Sequence, residues 1–412
     1  MSYVVNDQVI LSRAPEGPLA AYLVPFTDSL RHQGYTQHYI HRQVMLSACF
    51  SRWLKKTGLP LRRVTSAHAA QYLTCRYRRR RSSRGDQAAL SHFIEFLRRE
   101  GVLPVENMSA SRPTPAEQCV RTYERYLREE RALAEATIVY YVRFNSRFLK
   151  DRFGAGPLKL SRLHARDVIG FVQREAPRLK SKQAKLLTTA LRSFFQYLRY
   201  RGETQLDLAA AVPCVANWSM PSIPRGIAPE QVRRLLCGID RSTATGRRDY
   251  AILLLLARLG LRSAEVAFLE LDDIDWQGGC LSVHGKSGRR TQLPLPKDVG
   301  NAIVAYLRHG RPCTISRRVF LRARAPIRGF LSQCAVGTIV RHALLRAGIE
   351  APTTGCHQFR HALATQMLRQ GASLAEIGGL LGHRDPETTK IYTKVDLEAL
   401  RTLALPWPGG VR

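Results

Sequence analysis

Residues 280–294 read Cys280-Leu-Ser-Val-His-Gly-Lys-Ser-Gly-Arg-Arg-Thr-Gln-Leu-Pro294, and this stretch decides the fold class. Apolar and polar residues alternate on either side of a Gly285-Lys-Ser-Gly288 turn, the pattern of a hairpin whose strands send side chains to opposite faces. The sequence around it has a helical period instead. Upstream, Leu253, Leu254, Leu255, Leu256 and Leu259 make a helix that is apolar nearly all round and must be buried. Downstream, helices are expected from Val299 to Arg308, Val336 to Ala347, His357 to Arg369, Ser373 to Leu381 and Pro386 to Lys394. Each opens near a Pro, Asp, Ser or Thr, and several close at a Gly, as capping chemistry requires. Residues 226–412 are therefore expected to form a mostly α domain with one small β-hairpin.

Two Pro-rich breaks separate this domain from what precedes it. One is Ser109-Ala-Ser-Arg-Pro-Thr-Pro115, and the other holds Pro213, Pro221, Pro224 and Pro229. Segments 1–112 and 113–215 both read as helical, and they look alike. Ser51-Arg-Trp53 matches Ser146-Arg-Phe148, Val64–Tyr72 matches Leu163–Phe171, and His92–Gly101 matches Ser193–Gly202, at offsets of 95, 99 and 101. Ordered agreement at separated points predicts two copies of one helical module of about 100 residues. Basic residues stud both copies: Arg78, Arg79, Arg80 and Arg81 in the first, Lys182 and Lys185 in the second. These are the candidate DNA-phosphate contacts.

The chain has 412 residues, and its 64 Lys plus Arg against 32 Asp plus Glu leave a formal charge of +32. A surplus of that size calls for a polyanionic partner, and nucleic acid is the default. The nine cysteines form no CxxC pair, which fits a reduced interior rather than a disulfide scaffold or a metal finger. No apolar run approaches the length of a membrane span, and the N-terminus lacks the order of a signal peptide. A cytoplasmic, nucleoid-associated protein with no membrane partner is expected.

Four features of residues 226–412 are not required by packing. In Leu259-Gly-Leu-Arg-Ser-Ala-Glu265, Arg262 follows the buried helix and Glu265 can hold its guanidinium in place. Lys286 sits at the hairpin tip. His357 and Arg360 are an i, i+3 pair on one helical face, with His361 next to them. Last, His383 in Leu380-Leu-Gly-His383 is followed nine residues on by Tyr392. His357 with His361 has the spacing of half a metal site, but Arg360 in the same turn would repel a cation and no third ligand is evident. No cluster of carboxylates is present to hold a divalent ion, so neither a metal nor another cofactor is expected. What remains is a phosphate clamp plus a nucleophile. Two guanidinium groups can stabilise a five-coordinate phosphorus. The phenol can attack if a neighbouring histidine takes its proton or if the cationic surroundings lower its pKa, and Lys286 can protonate the leaving oxygen.

Residues 226–400 resemble the catalytic domain of the tyrosine recombinases, the phage-integrase family. That family's pattern is GLR-x-x-E, a hairpin GK-x-G, H-x-x-R-H, L-G-H, and Tyr nine residues later, and each position is filled here. Ala264 and Ala362 replace a common Ser and Thr, and Gly378-Gly379 weakens a usually stiffer helix. The resemblance implies that Arg262, Lys286, His357, Arg360, His383 and the nucleophile Tyr392 are catalytic, with Glu265 supporting Arg262. It further implies a multi-domain, C-shaped clamp on double-stranded DNA, with residues 113–215 as core-binding domain. The 1–112 module would be an additional arm, and the amphipathic tail Asp396–Leu405 an exchange helix that docks on a neighbour. The expected reaction is cleavage and rejoining of DNA through a 3′-phosphotyrosyl link, in integration, excision or transposition. The expected assembly is a tetramer on DNA, with related recombinases of the same element as further partners. Two rival readings are a non-cleaving accessory DNA-binding protein and a relaxing topoisomerase of type IB.

Overall fold

The computed structural model describes residues 3–5, 9–11, 13–78, 83, 85–104, 113–154, 156–215, 226–285, 290–351, 353–383 and 385–395. Two compact units divide the chain: residues 1–105 together with 222–412, and residues 106–221. The chain opens with a short antiparallel pair, β1 (Tyr3–Val5) and β2 (Val9–Leu11), at the head of a segment whose sequence reads as helical throughout. Helices α1 (Leu23–His32), α2 (Gln37–Thr57), α3 (Ser66–Tyr77) and α4 (Asp86–Arg99) follow. The second unit holds α5 (Pro115–Glu129), α6 (Glu135–Phe153), α7 (Ala165–Glu175) and α8 (Ser181–Tyr200). α5 opens with a complete capping box. Thr114 Oγ1 accepts from the Glu117 amide, Glu117 Oε2 accepts from the Thr114 amide, and Pro115 fills the first helical position.

The two four-helix modules bury the same positions. Leu23, Phe26 and Leu30 of α1 correspond to Val120, Tyr123 and Leu127 of α5, and Ile40 and Phe50 of α2 to Ile138 and Phe148 of α6. Ala69 and Tyr72 of α3 correspond to Val168 and Phe171, and Leu90, Phe93, Ile94 and Leu97 of α4 to Leu191, Phe194, Phe195 and Leu198. The offset runs 97, 98, 99 and 101 along the chain. One sequence match moves: Phe148 pairs with Phe50, not with Trp53, so the offset of 95 is a slip of about one turn. A three-residue slip keeps a helix face in phase, which is why residue types alone did not expose it.

The N-terminal module touches the C-terminal one within their shared unit. The Ile327 amide donates to the Gln33 carbonyl at 2.8 Å. Beside that bond, Gly34 has φ +77° and would place a Cβ 2.5 Å from Ile327 Cγ1. A side chain there is disfavoured both by backbone conformation and by space.

The C-terminal module is built around α10 (Ala244–Leu259), which α9 (Pro229–Cys237) precedes. Ile252, Leu253, Leu254, Leu255 and Leu256 are all buried, so every face of α10 meets protein, and each such side chain contributes about 1.5–3 kcal/mol. After α11 (Ser263–Ala267) comes an antiparallel sheet of order β3 (Ile274–Asp275), β4 (Cys280–His284), β5 (Arg290–Pro294). The β4–β5 hairpin pairs Leu281 with Leu293 and His284 with Arg290, as the alternation requires. The third strand was not anticipated; at two residues it is too short to carry a period of its own. Helices α12 (Lys297–His309), α13 (Cys334–Arg346), α14 (His357–Arg369) and α15 (Leu374–Leu381) follow, with α12 and α14 packed on α10.

The expected helix from Pro386 to Lys394 is instead two 3-10 turns, Pro386–Thr388 and Lys390–Val395, separated at Thr389. Asp385 accepts from the Glu387 amide and Pro386 supplies no donor, which closes a tight turn. Thr389 is then buried against Gly378, where a Cβ would stand 3.1 Å from Thr389 Oγ1. Gly378 thus makes room for this segment, and α15 forms despite it.

Candidate active site

α10 stops at Gly260, in the left-handed conformation at φ +59°, and a Cβ there would lie 2.9 Å from Leu381 Cδ2. The turn exposes the Gly260 carbonyl and sets Arg262 at the start of α11. Glu265, with only 6% of its side chain accessible, binds Arg262 twice: Oε1 accepts from Nη1 and Oε2 from the backbone amide, each at 2.7 Å. The carboxylate lies inside and the guanidinium, 33% accessible, reaches outward. Such a charge-assisted pair fixes the direction in which the arginine points.

α14 supplies Arg360, which is 4% exposed. Nη1 donates to the Gly260 carbonyl at 2.8 Å and Nη2 to the Leu381 carbonyl. Burial, and then the like charge of Arg262, lower its pKa to about 10. A guanidinium stays protonated at neutral pH, so this is a buried cation whose hydrogen-bond partners are neutral carbonyls. It favours an anion. α15 ends at Gly382, again left-handed at φ +58°, and Arg262 Nη2 reaches the Gly382 carbonyl at 3.4 Å. The partly negative C-terminus of α15 faces both arginines. Arg262, Arg360 and His383, with Val283, Gly285 and Thr291 of the hairpin, line a cleft of about 660 Å³.

His383 follows Gly382 directly, and its Nδ1 lies 2.7 Å from Thr389 Oγ1. Burial, then the charges of Arg360, Arg262 and His361, push its pKa down to about 4, so the ring is neutral at physiological pH. Tyr392 is 1% exposed, packed with Ala364, Ile377 and Leu381. Its ring lies parallel to that of His383, centroids 6.5 Å apart, and its hydroxyl is 3.1 Å from His361 Nδ1. Burial raises the phenol above its usual pKa of 10, while Arg360 works against that rise.

Of the residues expected from sequence, Arg262, Glu265, Arg360 and His383 meet at the cleft, and Tyr392 stands behind His383. His357 is exposed at the first turn of α14, its ring 6.3 Å from that of His361. Arg78 is exposed at the end of α3, and Lys182 and Lys185 are exposed at the start of α8 in the other unit. Lys286, Arg79, Arg80, Arg81 and the tail from Asp396 lie outside the described residues. Sequence reasoning assigned no place in this site to His361, Thr389 or the carbonyls that grip Arg360. The signal for His361 was its place beside Arg360 in His-x-x-Arg-His. Among the described residues, no three His, Cys, Asp or Glu side chains are grouped to hold a metal ion, and no helix is long and apolar enough to cross a membrane.

A cationic cleft with a phenol behind it defines a class of protein that can hold a phosphodiester and attack it with tyrosine. Residues 225–398 match the model of the phage integrase family, and residues 120–202 that of the phage integrase N-terminal SAM-like domain. The chain is 54% identical over 99% of both lengths to "Putative integrase/recombinase y4rA" of Sinorhizobium fredii (strain NGR234). It is 31% identical to tyrosine recombinase XerD of Haemophilus influenzae, over 66% of this chain and 92% of that one. Its fold is similar to that of the XerH site-specific recombinase in a post-cleavage complex with difH DNA. The TM-score is 0.54 at 19% identity, covering 69% of this chain and 83% of the other. The chain belongs to the phage integrase family, the tyrosine recombinases, enzymes that cleave and rejoin DNA strands.

Proposed function

We propose that Tyr392 attacks a DNA phosphate held by Arg262 and Arg360, giving a 3′-phosphotyrosyl ester and a free 5′-hydroxyl. The observation that carries this reading is the buried Arg360 cation opening on the same cleft as Arg262, with Tyr392 stacked behind the third lining group, His383. The guanidinium groups stabilise the extra charge on phosphorus as it becomes five-coordinate. Glu265 holds Arg262 in position. His383, neutral and bonded to Thr389, can donate to a non-bridging oxygen through Nε2. His357, at the N-terminus of α14, adds a further contact from the exposed side, and Lys286 protonates the departing 5′-oxygen. The ester keeps the energy of the broken bond, so a 5′-hydroxyl from another strand reseals the backbone by the reverse step.

Exchanging both strands of two duplexes takes four such cleavages and hence four tyrosines. Four copies of this chain, or two with two of a related recombinase, supply them on DNA. The N-terminal module buries the same positions as the core-binding module and carries Arg78 at the same end of its third helix as the basic loop before α8. We assign it to the same DNA, as an arm that adds phosphate contacts. Nicked duplexes carrying the terminal repeats that flank the coding region test the reading. A covalent protein–DNA adduct that Tyr392→Phe abolishes, with strand transfer to a second duplex, is expected. Persistence of the adduct in Tyr392→Phe removes Tyr392 as nucleophile, and relaxation of a supercoiled plasmid without transfer makes the enzyme a topoisomerase.

A further inference from the structure

The tyrosine reading leaves one proton without a destination. A phenol with its usual pKa near 10 is ionised to roughly one part in a thousand at pH 7, and burial here raises the pKa further. Because Tyr392 is 1% exposed, water has little access to the hydroxyl. We propose that His361 takes the Tyr392 proton through Nδ1 as the phenolic oxygen attacks phosphorus. The inference rests on the tyrosine reading and adds the base that reading lacks.

Geometry selects His361 over its neighbours. Its Nδ1 lies 3.1 Å from the hydroxyl, within the reach a general base needs. The His383 ring lies parallel to that of Tyr392, centroids 6.5 Å apart, and its Nδ1 is engaged by Thr389 Oγ1 at 2.7 Å. Both oxygens of Glu265 are bound to Arg262. Residues 360 and 361 are about 100° apart around α14, so one helix turn presents the guanidinium to the cleft and the imidazole to the phenol. Among the described residues, the titratable and charged groups near His361 include His357 and Arg360 from α14 itself, His383 after α15, and Tyr392. His357, Arg360 and His383 are basic, so they push an imidazolium formed here to return its proton, as resealing requires.

The step balances. The Tyr392 O–H bond breaks and an N–H bond forms at His361 Nδ1. The oxygen–phosphorus bond forms, the bond from phosphorus to the 5′-oxygen breaks, and that oxygen leaves with a proton from the Lys286 ammonium.

The test uses full-length protein in single turnover on two nicked duplexes, one with the natural 5′-oxygen and one with sulfur bridging at that position. A thiolate leaves without an acid, so the sulfur substrate reports on the base alone. His361→Ala should slow adduct formation by about a hundredfold or more on both substrates, and lose the acid-side limb of the pH profile, with DNA affinity unchanged. Added imidazole should restore part of the rate. Lys286→Ala should be slow on the oxygen substrate only. His361→Asn, which keeps a hydrogen bond but takes up no proton, should be as slow as His361→Ala, and serves if the alanine variant fails to fold. A rate for either His361 variant within about threefold of wild type on the sulfur substrate, or above it, overturns the proposal. That outcome differs from an adduct surviving in Tyr392→Phe, which removes the nucleophile itself.

Discussion

Replacing Arg360 by lysine separates what this side chain does for the fold from what it does for the reaction. The guanidinium spans two carbonyls, Gly260 at the end of α10 and Leu381 at the end of α15, while 4% exposed. A lysine keeps the positive charge and reaches one carbonyl, but it lacks the planar fork that serves both and still faces the cleft. Losing one hydrogen bond from a charged donor costs about 1.5–3 kcal/mol, which in a module of this size lowers Tm by roughly 3–10 °C. Losing a donor aimed at the charge that develops on phosphorus costs about 2.7–4 kcal/mol, or a hundred- to a thousandfold in rate. Alanine would confound the two, because it also leaves both carbonyls unpaired at about 1–3 kcal/mol each. Single-turnover adduct formation on a nicked duplex, fluorescence anisotropy for affinity and thermal melting together read the outcome for Arg360→Lys. A cleavage rate within about fivefold of wild type would show that the fork is not needed, and an affinity falling by the same factor as the rate would show that Arg360 only binds.

Glu265→Gln keeps an acceptor for the Arg262 amide but loses the charge-assisted bond to Nη1, so cleavage should slow by about tenfold with affinity little changed; an unaltered single-turnover rate would mean that Arg262 needs no support. His383 bears on acid stability. Its folded pKa of about 4 lies below the ordinary 6.5, so the unfolded chain takes the proton first: stability is undiminished above about pH 6.5, falls as the pH drops through that window, and stops falling from this source near pH 4. His383→Gln should lose less Tm than wild type between pH 7 and pH 4, and parallel losses would contradict the assignment. Lys182→Gln combined with Lys185→Gln should make the plot of log affinity against log salt shallower by about 2, at roughly 0.9 per phosphate contact; an unchanged slope would exclude both residues from the DNA surface.

The parts of this protein that were legible in the sequence are those with a long period or a rigid chemical demand. α10 declared itself because Leu253 to Leu256 leave no polar face, and the β4–β5 hairpin because alternation brackets a glycine turn. The repeat of the helical modules was legible wherever aromatic residues mark the core, as at Phe93 and Phe194, and slipped where Trp53 offered a false partner one turn from Phe50. Elements set by single contacts were not legible. β3 exists because two residues happen to lie beside β4, with His284 Nε2 2.8 Å from Asp273 Oδ1 just before it. The break at Thr389 depends on a hydroxyl finding His383 and a gap finding Gly378. His361 stood in plain view in His-x-x-Arg-His, but nothing local distinguishes an imidazole aimed at solvent from one aimed at a phenol 31 positions later.

The two glycines that flank the motifs explain why the cationic site can be assembled from segments more than a hundred residues apart. Gly260 and Gly382 both end a helix in the left-handed conformation, where a Cβ is costly. Ending a helix this way turns its last carbonyls outward, and here they do not go to water. Gly260 and Leu381 offer theirs to Arg360, and Gly382 offers its own to Arg262. Each turn also carries a site side chain into the cleft, Arg262 two residues after one glycine and His383 directly after the other. Gly-Leu-Arg and Leu-Gly-His are therefore one device used twice: a helix C-terminus whose partial negative charge steadies the arginines without neutralising them. A carboxylate in place of those carbonyls would hold Arg360 more tightly and leave it less charge to offer a phosphate. Neutral acceptors fix the geometry and leave the positive charge available to the DNA backbone.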